Sequence, residues 1–340
     1  MSRRNVSLDV PDGRRDAIRR LVEALPARGR VALTTHINAD GDGCGSEAAL
    51  ARLLRQRGID AFVVNPTPWP EMYDFLLGDD VRDRSPEGSA ALAGIDALVT
   101  LDISDVKRLG QLADAVRALP VPKLVIDHHI ASDEPAGAIA LADTSACATG
   151  ELVFDLAREL GLDLDPAIAT ALYAAILTDT GGFRYSNTTP RCHAIAGALL
   201  AAGVDPERMY QRIYASVPMG KLRLLGEALA TLEADDAHGL AWLSIDADAL
   251  ERFGLRSEDL EGIVEHARSI AGTRIALFFR DLGHDRVKVS FRSTGDADVN
   301  ALARRFGGGG HAKASGAMIA GSLEEVRERV LAAAREVTAR

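Results

Sequence analysis

The chain has 340 residues, too many for one ordinary core and enough for two domains that each bury an apolar face. Hydrophobic residues at 47% and charged residues at 26% are the proportions of a globular protein in water. A formal net charge of −10 argues against a protein that coats long nucleic acid through broad phosphate contacts, and leaves short anionic ligands open.

The opening MSRRNVSLDVPDGRRD is polar and has no apolar signal segment, and no stretch approaches the ~20 apolar residues of a membrane helix. A cytoplasmic location without a membrane partner is the expectation. Cys44, Cys147 and Cys192 are odd in number and form no CxxC pair, so they are read as buried apolar residues of a reducing compartment. RVALTTH (30–36) is a strand running into a Gly/Asp loop, and GSEAALARLLRQRG (45–58) a helix closed by Gly58. IDAFVVN (59–65), IDALVTLD (95–102) and KLVIDHH (123–129) are further strands, apolar enough to be buried on both faces of a parallel sheet. Next come an amphipathic helix at 166–179 and a helix at 190–203. The stretch 205–235 reads as a helical connector. Beyond it, strands at 240–246, 274–281 and 286–293 and helices at 260–270, 298–310 and 323–337 make a smaller α/β domain. The expected architecture is thus α/β, with a parallel-sheet domain over 1–204, the connector, a second domain over 236–340, and the site in the cleft between domains.

Acidic and imidazole residues gather just past three strand ends, the edge of an open α/β sheet where ligands bind. His36, Asp40 and Asp42 share one short segment, in which Gly41, Gly43 and Gly45 are expected to supply backbone freedom. Asp102 follows the next strand, and Asp127, His128 and His129 the one after. Asp179 ends a helix. Taken alone, each group could be turn or cap chemistry. Turn propensity does not place three of them at successive strand ends. So many carboxylates would repel one another unless cations joined them, and carboxylates with one or two imidazoles suit Mn²⁺ or Mg²⁺ better than a thiolate zinc cage. Two such ions ~3.5–4 Å apart would clamp a phosphate and activate a water for in-line attack. His129 would stabilise the phosphoryl charge or protonate the leaving oxygen. His193, His238, His266 and His284 show no acidic partners in a recurring spacing.

The run Gly307-Gly308-Gly309-Gly310-His311-Ala312-Lys313 is either a linker or an anion-binding loop. Its His and Lys favour the loop, and Arg292 and Ser293, ending a strand, are placed to reach the same anion.

Together HxxxDxD, Asp102, Asp127-His128-His129 and Thr178-Asp179-Thr180-Gly181 resemble, in order, the four motifs of the DHH phosphoesterase superfamily. The GGGGH run with Ala314-Ser315-Gly316 looks like the signature of the DHH-associated C-terminal domain. Within the superfamily the chain is most similar to the bifunctional oligoribonuclease/pAp phosphatases, or nanoRNases, through 148–151 and 183–189 as well. The resemblance implies a Mn²⁺-dependent phosphodiesterase/phosphatase, with Mg²⁺ or Co²⁺ as alternative ions. It places one ion on His36, Asp40 and Asp102, and the other on Asp42, Asp102, His128 and Asp179. It sets His129 beside the transferred phosphate and has Asp127 orient a histidine. Arg292, Ser293, Gly309, Gly310 and His311 would hold the substrate. Ala312 departs from the basic residue often found there, which leaves the contact of Lys313 open. Short single-stranded RNA, dinucleotides and pAp are the implied substrates, long duplexes are not, and a homodimer is the implied assembly. A RecJ-type exonuclease would need a further strand-binding domain, and a family II pyrophosphatase lacks the glycine run. A cyclic-di-AMP or linear dinucleotide phosphodiesterase stays as the alternative, and a non-catalytic nucleotide sensor stands behind it.

Overall fold

The computed structural model describes residues 7–103, 105–130 and 134–338, apart from the side chains of Glu258 and His311. The chain divides into two compact units, Met1–Ala215 and Ser216–Arg340. The stretch 205–235 is shared between them, with the helix Pro206–Ile213 in the first and the helix Met219–Ala230 in the second.

The first unit is built on β1 (Gly29–Thr34), β2 (Ile59–Val63), β3 (Ala97–Leu101), β4 (Lys123–Asp127) and β5 (Ile139–Ala142). They pair in the order β2-β1-β3-β4-β5, parallel throughout. Every residue of β3 is buried, as a strand covered on both faces requires. One face packs Val31, Leu33, Val99 and Ile126 against the helices Asp12–Ala24, Gly41–Gln56, Thr149–Glu159 and Pro166–Asp179. The other packs Phe62, Leu98 and Val125 against Leu109, Leu112 and Val116. The chain leaves β1 to one side for β2 and returns on its other side as β3, which opens a crevice at the carboxyl edge between them. His36 follows β1, Asp102 follows β3, and Asp127 ends β4.

Two readings of the helices change. The helix Pro166–Asp179 is not amphipathic, because its residues from Ala171 to Leu177 are all buried and apolar on every side. Gly41, Gly43 and Gly45 lie inside the helix Gly41–Gln56, and none has a positive φ. A Cβ on Gly45 would stand 2.4 Å from the Ala171 carbonyl oxygen and 2.9 Å from the Ala175 nitrogen. One on Gly41 would stand 2.4 Å from Thr178 Oγ1. Gly41 and Gly45 let two helices touch and Gly43 packs against Thr35, so close packing rather than loop freedom explains them.

In the second unit β6 (Glu233–Asp235), β7 (Leu240–Ile245), β8 (Ile275–Asp281), β9 (Arg286–Ser293), β10 (Gly309–His311) and β11 (Ala314–Ala320) form a sheet in the order β10-β11-β9-β8-β7-β6. The β7–β8 pairing is parallel and the others are antiparallel. The helices Val299–Arg304 and Leu323–Thr338 cover one face, and Met219–Ala230 and Ile263–Arg268 the other. The glycine run is only partly a loop. Gly309 pairs with Gly316, Gly310 with Ser315 and His311 with Ala314, so its second half is an edge strand of a tight hairpin. The alternating burial of β11 is hard to see in ASGAMIA because Ala and Gly carry little hydropathy contrast. No helix among the described residues is long and apolar enough to cross a membrane.

Candidate metal centre

His36 is 6% exposed, and its Nδ1 donates to the Ile37 carbonyl at 2.9 Å. A carbonyl only accepts, so this contact turns Nε2 inward with its lone pair free. That nitrogen lies 3.5 Å from Asp102 Oδ2 and 3.7 Å from Asp40 Oδ2. Asp40 caps the helix Gly41–Gln56, its Oδ1 accepting from the Asp42 and Gly43 amides while Oδ2 stays toward His36. Asp42, in the first turn, accepts from the Thr149 amide at 2.7 Å, the Gly150 amide at 2.9 Å and Ser46 Oγ at 3.2 Å.

Asp102 has φ +61°, in the left-handed region. Such backbone costs a non-glycine residue about 1–2 kcal/mol and collects at functional sites. It is buried, and its Oδ1 accepts from Thr149 Oγ1 at 3.0 Å. His128 repeats the arrangement of His36. Nδ1 donates to the Ala146 carbonyl at 3.3 Å, and Nε2 lies 3.6 Å from Asp102 Oδ1, 3.6 Å from Asp179 Oδ2 and 3.7 Å from Asp42 Oδ2. Buried as it is, this Nε2 has no hydrogen-bond partner among the described residues. His129 Nδ1 donates to the fully buried Asp127 at 2.8 Å, and its ring stands edge-on to His128 with centroids 4.6 Å apart. Asn187 Nδ2 reaches Asp179 Oδ2 at 3.1 Å.

Without cations this crowding holds protons. Burial pushes the Asp179 carboxyl up to about 6, helped by the charges of Asp102 and Asp40 and opposed by His128. Burial and the charges of Asp102, Asp179 and Asp40 push Asp42 well above the usual carboxylate range. Burial alone would lower His36, but the adjacent Asp102 and Asp40 carboxylates outweigh it and raise the imidazole to about 10. His129 is raised chiefly by its hydrogen bond to Asp127.

The donor set fits divalent cations. Among the described residues, three groups bring their ligating atoms within 4.8 Å: His36, Asp40 and Asp102; Asp42, His128 and Asp179; and Asp102, His128 and His129. Separations of 3.5–3.7 Å exceed hydrogen-bond length and match two ligands each about 2.1 Å from a shared ion. All six sequence-predicted ligands therefore meet in one place. Sequence reasoning missed Ser46 and gave Thr149, Gly150 and Asn187 no role beyond the resemblance they carry, yet all four hydrogen-bond the carboxylates. Thr149 and Gly150 act largely through backbone amides, which leave no mark on residue type.

In the second unit the predicted residues differ in what they offer. Arg292 is partly exposed, its Nε 3.3 Å from Glu265 Oε1. Ser293 is 2% exposed and its hydroxyl donates to the Ala297 carbonyl at 2.8 Å, so it holds the turn rather than presenting a free donor. Gly309 and Gly310 lie in the edge strand, and the His311 side chain is outside the described residues. His238 does have an acidic partner, Asp235 Oδ1 at 3.0 Å, in a surface cluster with Arg335. All three cysteines are buried.

The model of the DHH family, N-terminal domain, matches residues 30–176, and that of the DHHA1 domain matches 244–340. The bifunctional oligoribonuclease and PAP phosphatase NrnA of Thermus thermophilus is 34% identical over 330 residues, covering 94% of this chain and 94% of that protein. The Bacillus subtilis protein of the same name is 30% identical over 305 residues, covering 88% and 92%. An exopolyphosphatase-related protein from Bacteroides fragilis superposes with a TM-score of 0.87 at 26% identity, covering 98% of this chain and all of that one. RecJ from Thermus thermophilus, at 17% identity and a TM-score of 0.53 over 99% of this chain and 56% of its own, shares the fold alone. Near-full-length similarity and two domain matches in order agree with the site's geometry: the chain belongs to the DHH family, with a DHHA1 domain, and groups with the NrnA proteins.

Proposed function

We propose that the chain is a metal-dependent phosphoesterase that releases mononucleotides from short oligoribonucleotides and removes a phosphate from pAp. One observation carries this reading. His128 Nε2 is buried without a hydrogen-bond partner among the described residues, 3.6–3.7 Å from three carboxylates, and one of these, Asp102, also faces His36. Such an atom is costly to bury unless a cation completes it. The names of the Thermus and Bacillus relatives supply the substrate classes.

In this reading His36, Asp40 and Asp102 hold one ion, and Asp42, Asp102, His128 and Asp179 the other. Manganese is the proposed ion. When bound, two divalent ions supply Lewis-acid charge to the phosphate and make a water acidic enough to attack it. Asp127 fixes His129 through Nδ1 and leaves Nε2 to the phosphate. The hydrogen bond to Asp127 raises the imidazole pKa and so favours the protonated ring, whose Nε2–H would serve a phosphoryl or leaving oxygen. Thr149 and Gly150 keep Asp42 oriented by their amides. Arg292 and the backbone of Gly309, Gly310 and His311 bind substrate phosphate. For Arg292 this means giving up part of its contact with Glu265.

The test is turnover of an RNA trimer, pAp, cyclic-di-AMP and pyrophosphate side by side, with Mn²⁺ and with chelator. The trimer and pAp should be cleaved only with the ion. Preference for pyrophosphate, or turnover in chelator, would overturn the reading, and preference for cyclic-di-AMP would move the substrate class.

A further inference from the structure

Behind the candidate metal centre lies an ion cluster that none of the chemistry above uses. Arg14, from the helix Asp12–Ala24, is 4% exposed. Its Nε donates to Asp143 Oδ2 at 2.7 Å, and its Nη1 to Glu151 Oε1 and Asp155 Oδ2, each at 2.6 Å. Arg191 adds a second guanidinium. Its Nη2 pairs with Asp155 Oδ1, and its Nε lies 3.3 Å from Glu151 Oε1 as a contact of charge rather than an aligned hydrogen bond. Glu151 and Asp155 are 1% and 0% exposed. A buried ion cluster often adds little stability over apolar packing, which directs attention to the geometry this one imposes.

That geometry falls on residues 146–150. The Ala146 carbonyl receives His128 Nδ1. The Cys147 carbonyl receives Asn187 Nδ2 at 2.8 Å, and the same amide group reaches Asp179. Thr149 and Gly150 donate their amides to Asp42, and the Thr149 hydroxyl donates to Asp102. Four of these five consecutive residues thus orient four candidate ligands, directly or through Asn187. Arg14 grips this segment from both sides, through Asp143 before it and Glu151 after it. Glu151 also accepts the Cys147 amide at 3.0 Å through Oε2.

We infer that Arg14 and Glu151 are positioning residues for the metal centre, acting through residues 146–150. The inference rests on the proposed metal-dependent function. Arg14→Lys keeps the charge but loses the two-pronged donor, and Glu151→Gln keeps the shape but loses the charge. Arg52→Lys is the comparison, since Arg52 is as deeply buried and pairs with Asp80 at 2.6 Å, away from the segment.

The experiment is Mn²⁺ binding to the full chain by calorimetry, with Tm in chelator and KM for pAp at saturating Mn²⁺. Arg14→Lys and Glu151→Gln should each raise the Kd for Mn²⁺ about tenfold, as loss of an orienting group behind a metal ligand does. The KM for pAp should stay unchanged. Arg52→Lys should lower Tm and leave the Kd alone. The two variants disturb opposite sides of one pair, so either that folds decides. Wild-type Mn²⁺ affinity in both, or an equal shift in Arg52→Lys, would overturn the inference and spare the metal reading. A wild-type chain that takes up no divalent ion would overturn both.

Discussion

The Asp127 carboxylate, fully buried at the end of β4, accepts the Nδ1 proton of His129 at 2.8 Å and the His129 amide at 3.2 Å. One side chain therefore sets both the ring's orientation and its tautomer, and its hydrogen bond is the main reason the imidazole pKa is raised. Asp127→Asn should lower kcat for pAp about 10–100-fold at neutral pH. It should also let the His129 pKa fall, so that activity is lost at lower pH on the alkaline side of the profile. A pH–rate profile checks this, and an unchanged alkaline limb would remove His129 as the proton donor.

Asp102 is the carboxylate that faces both His36 and His128. Asp102→Asn keeps the shape and removes the charge shared by the two proposed ions. Activity should fall to the background rate, and calorimetry should show less than the full complement of Mn²⁺ bound. Asp40→Asn, at the rim with its side chain 57% exposed, should weaken binding less. A more severe loss from Asp40→Asn would mean that the bridge is misplaced.

The sheet was legible because β1, β3 and β4 are largely apolar runs, the signature of a parallel strand buried on both faces, with His36, Asp102 and Asp127 at or just past their ends. The ligands were legible for the same reason, since a carboxylate at such an edge is conspicuous. What supports them was not. Thr149 and Gly150 donate backbone amides, and Arg14 is 137 residues from Glu151 in the chain. Gly41, Gly43 and Gly45 suggest a flexible loop in the sequence and serve close packing in the fold, because residue type alone does not separate a turn from a close contact. β10 was hidden inside its own glycines.

Gly45 makes that distinction measurable. Helix propensity predicts that Gly→Ala inside a helix gains about 1 kcal/mol. At Gly45 the added methyl would meet backbone atoms of Ala171 and Ala175, which cannot swing aside as a flexible side chain would. Gly45→Ala should therefore destabilise the chain, by about 1–3 kcal/mol in urea unfolding. Gly226→Ala, in the exposed part of the helix Met219–Ala230 with nothing within 4 Å, should instead gain about 0.5–1 kcal/mol. Stabilisation at both sites would mean that the two helices can part cheaply.

Glu47 gives the fold a pH dependence of its own. It is fully buried in the helix Gly41–Gln56, with Oε2 accepting from Asn65 Nδ2 at 2.9 Å and Oε1 without a hydrogen-bond partner among the described residues. Burial, with the charges of Asp83 and Asp102, pushes its pKa up to about 8 against the pull of Asn65 and His36. In the unfolded chain it titrates near 4.5. Between these values the native state holds a proton that the unfolded state has lost, so stability from this group is complete below about pH 4.5 and drains away as pH rises to about 8. The slope contributed is at most about 1.4 kcal/mol per pH unit. Glu47→Gln keeps an acceptor for Asn65 and carries no proton to lose. In chelator, urea unfolding from pH 5 to 8 should show wild-type stability declining relative to the variant, with the widest gap at pH 8. Parallel curves would mean that Glu47 ionises at its ordinary pKa, with enough water beside it to solvate the charge.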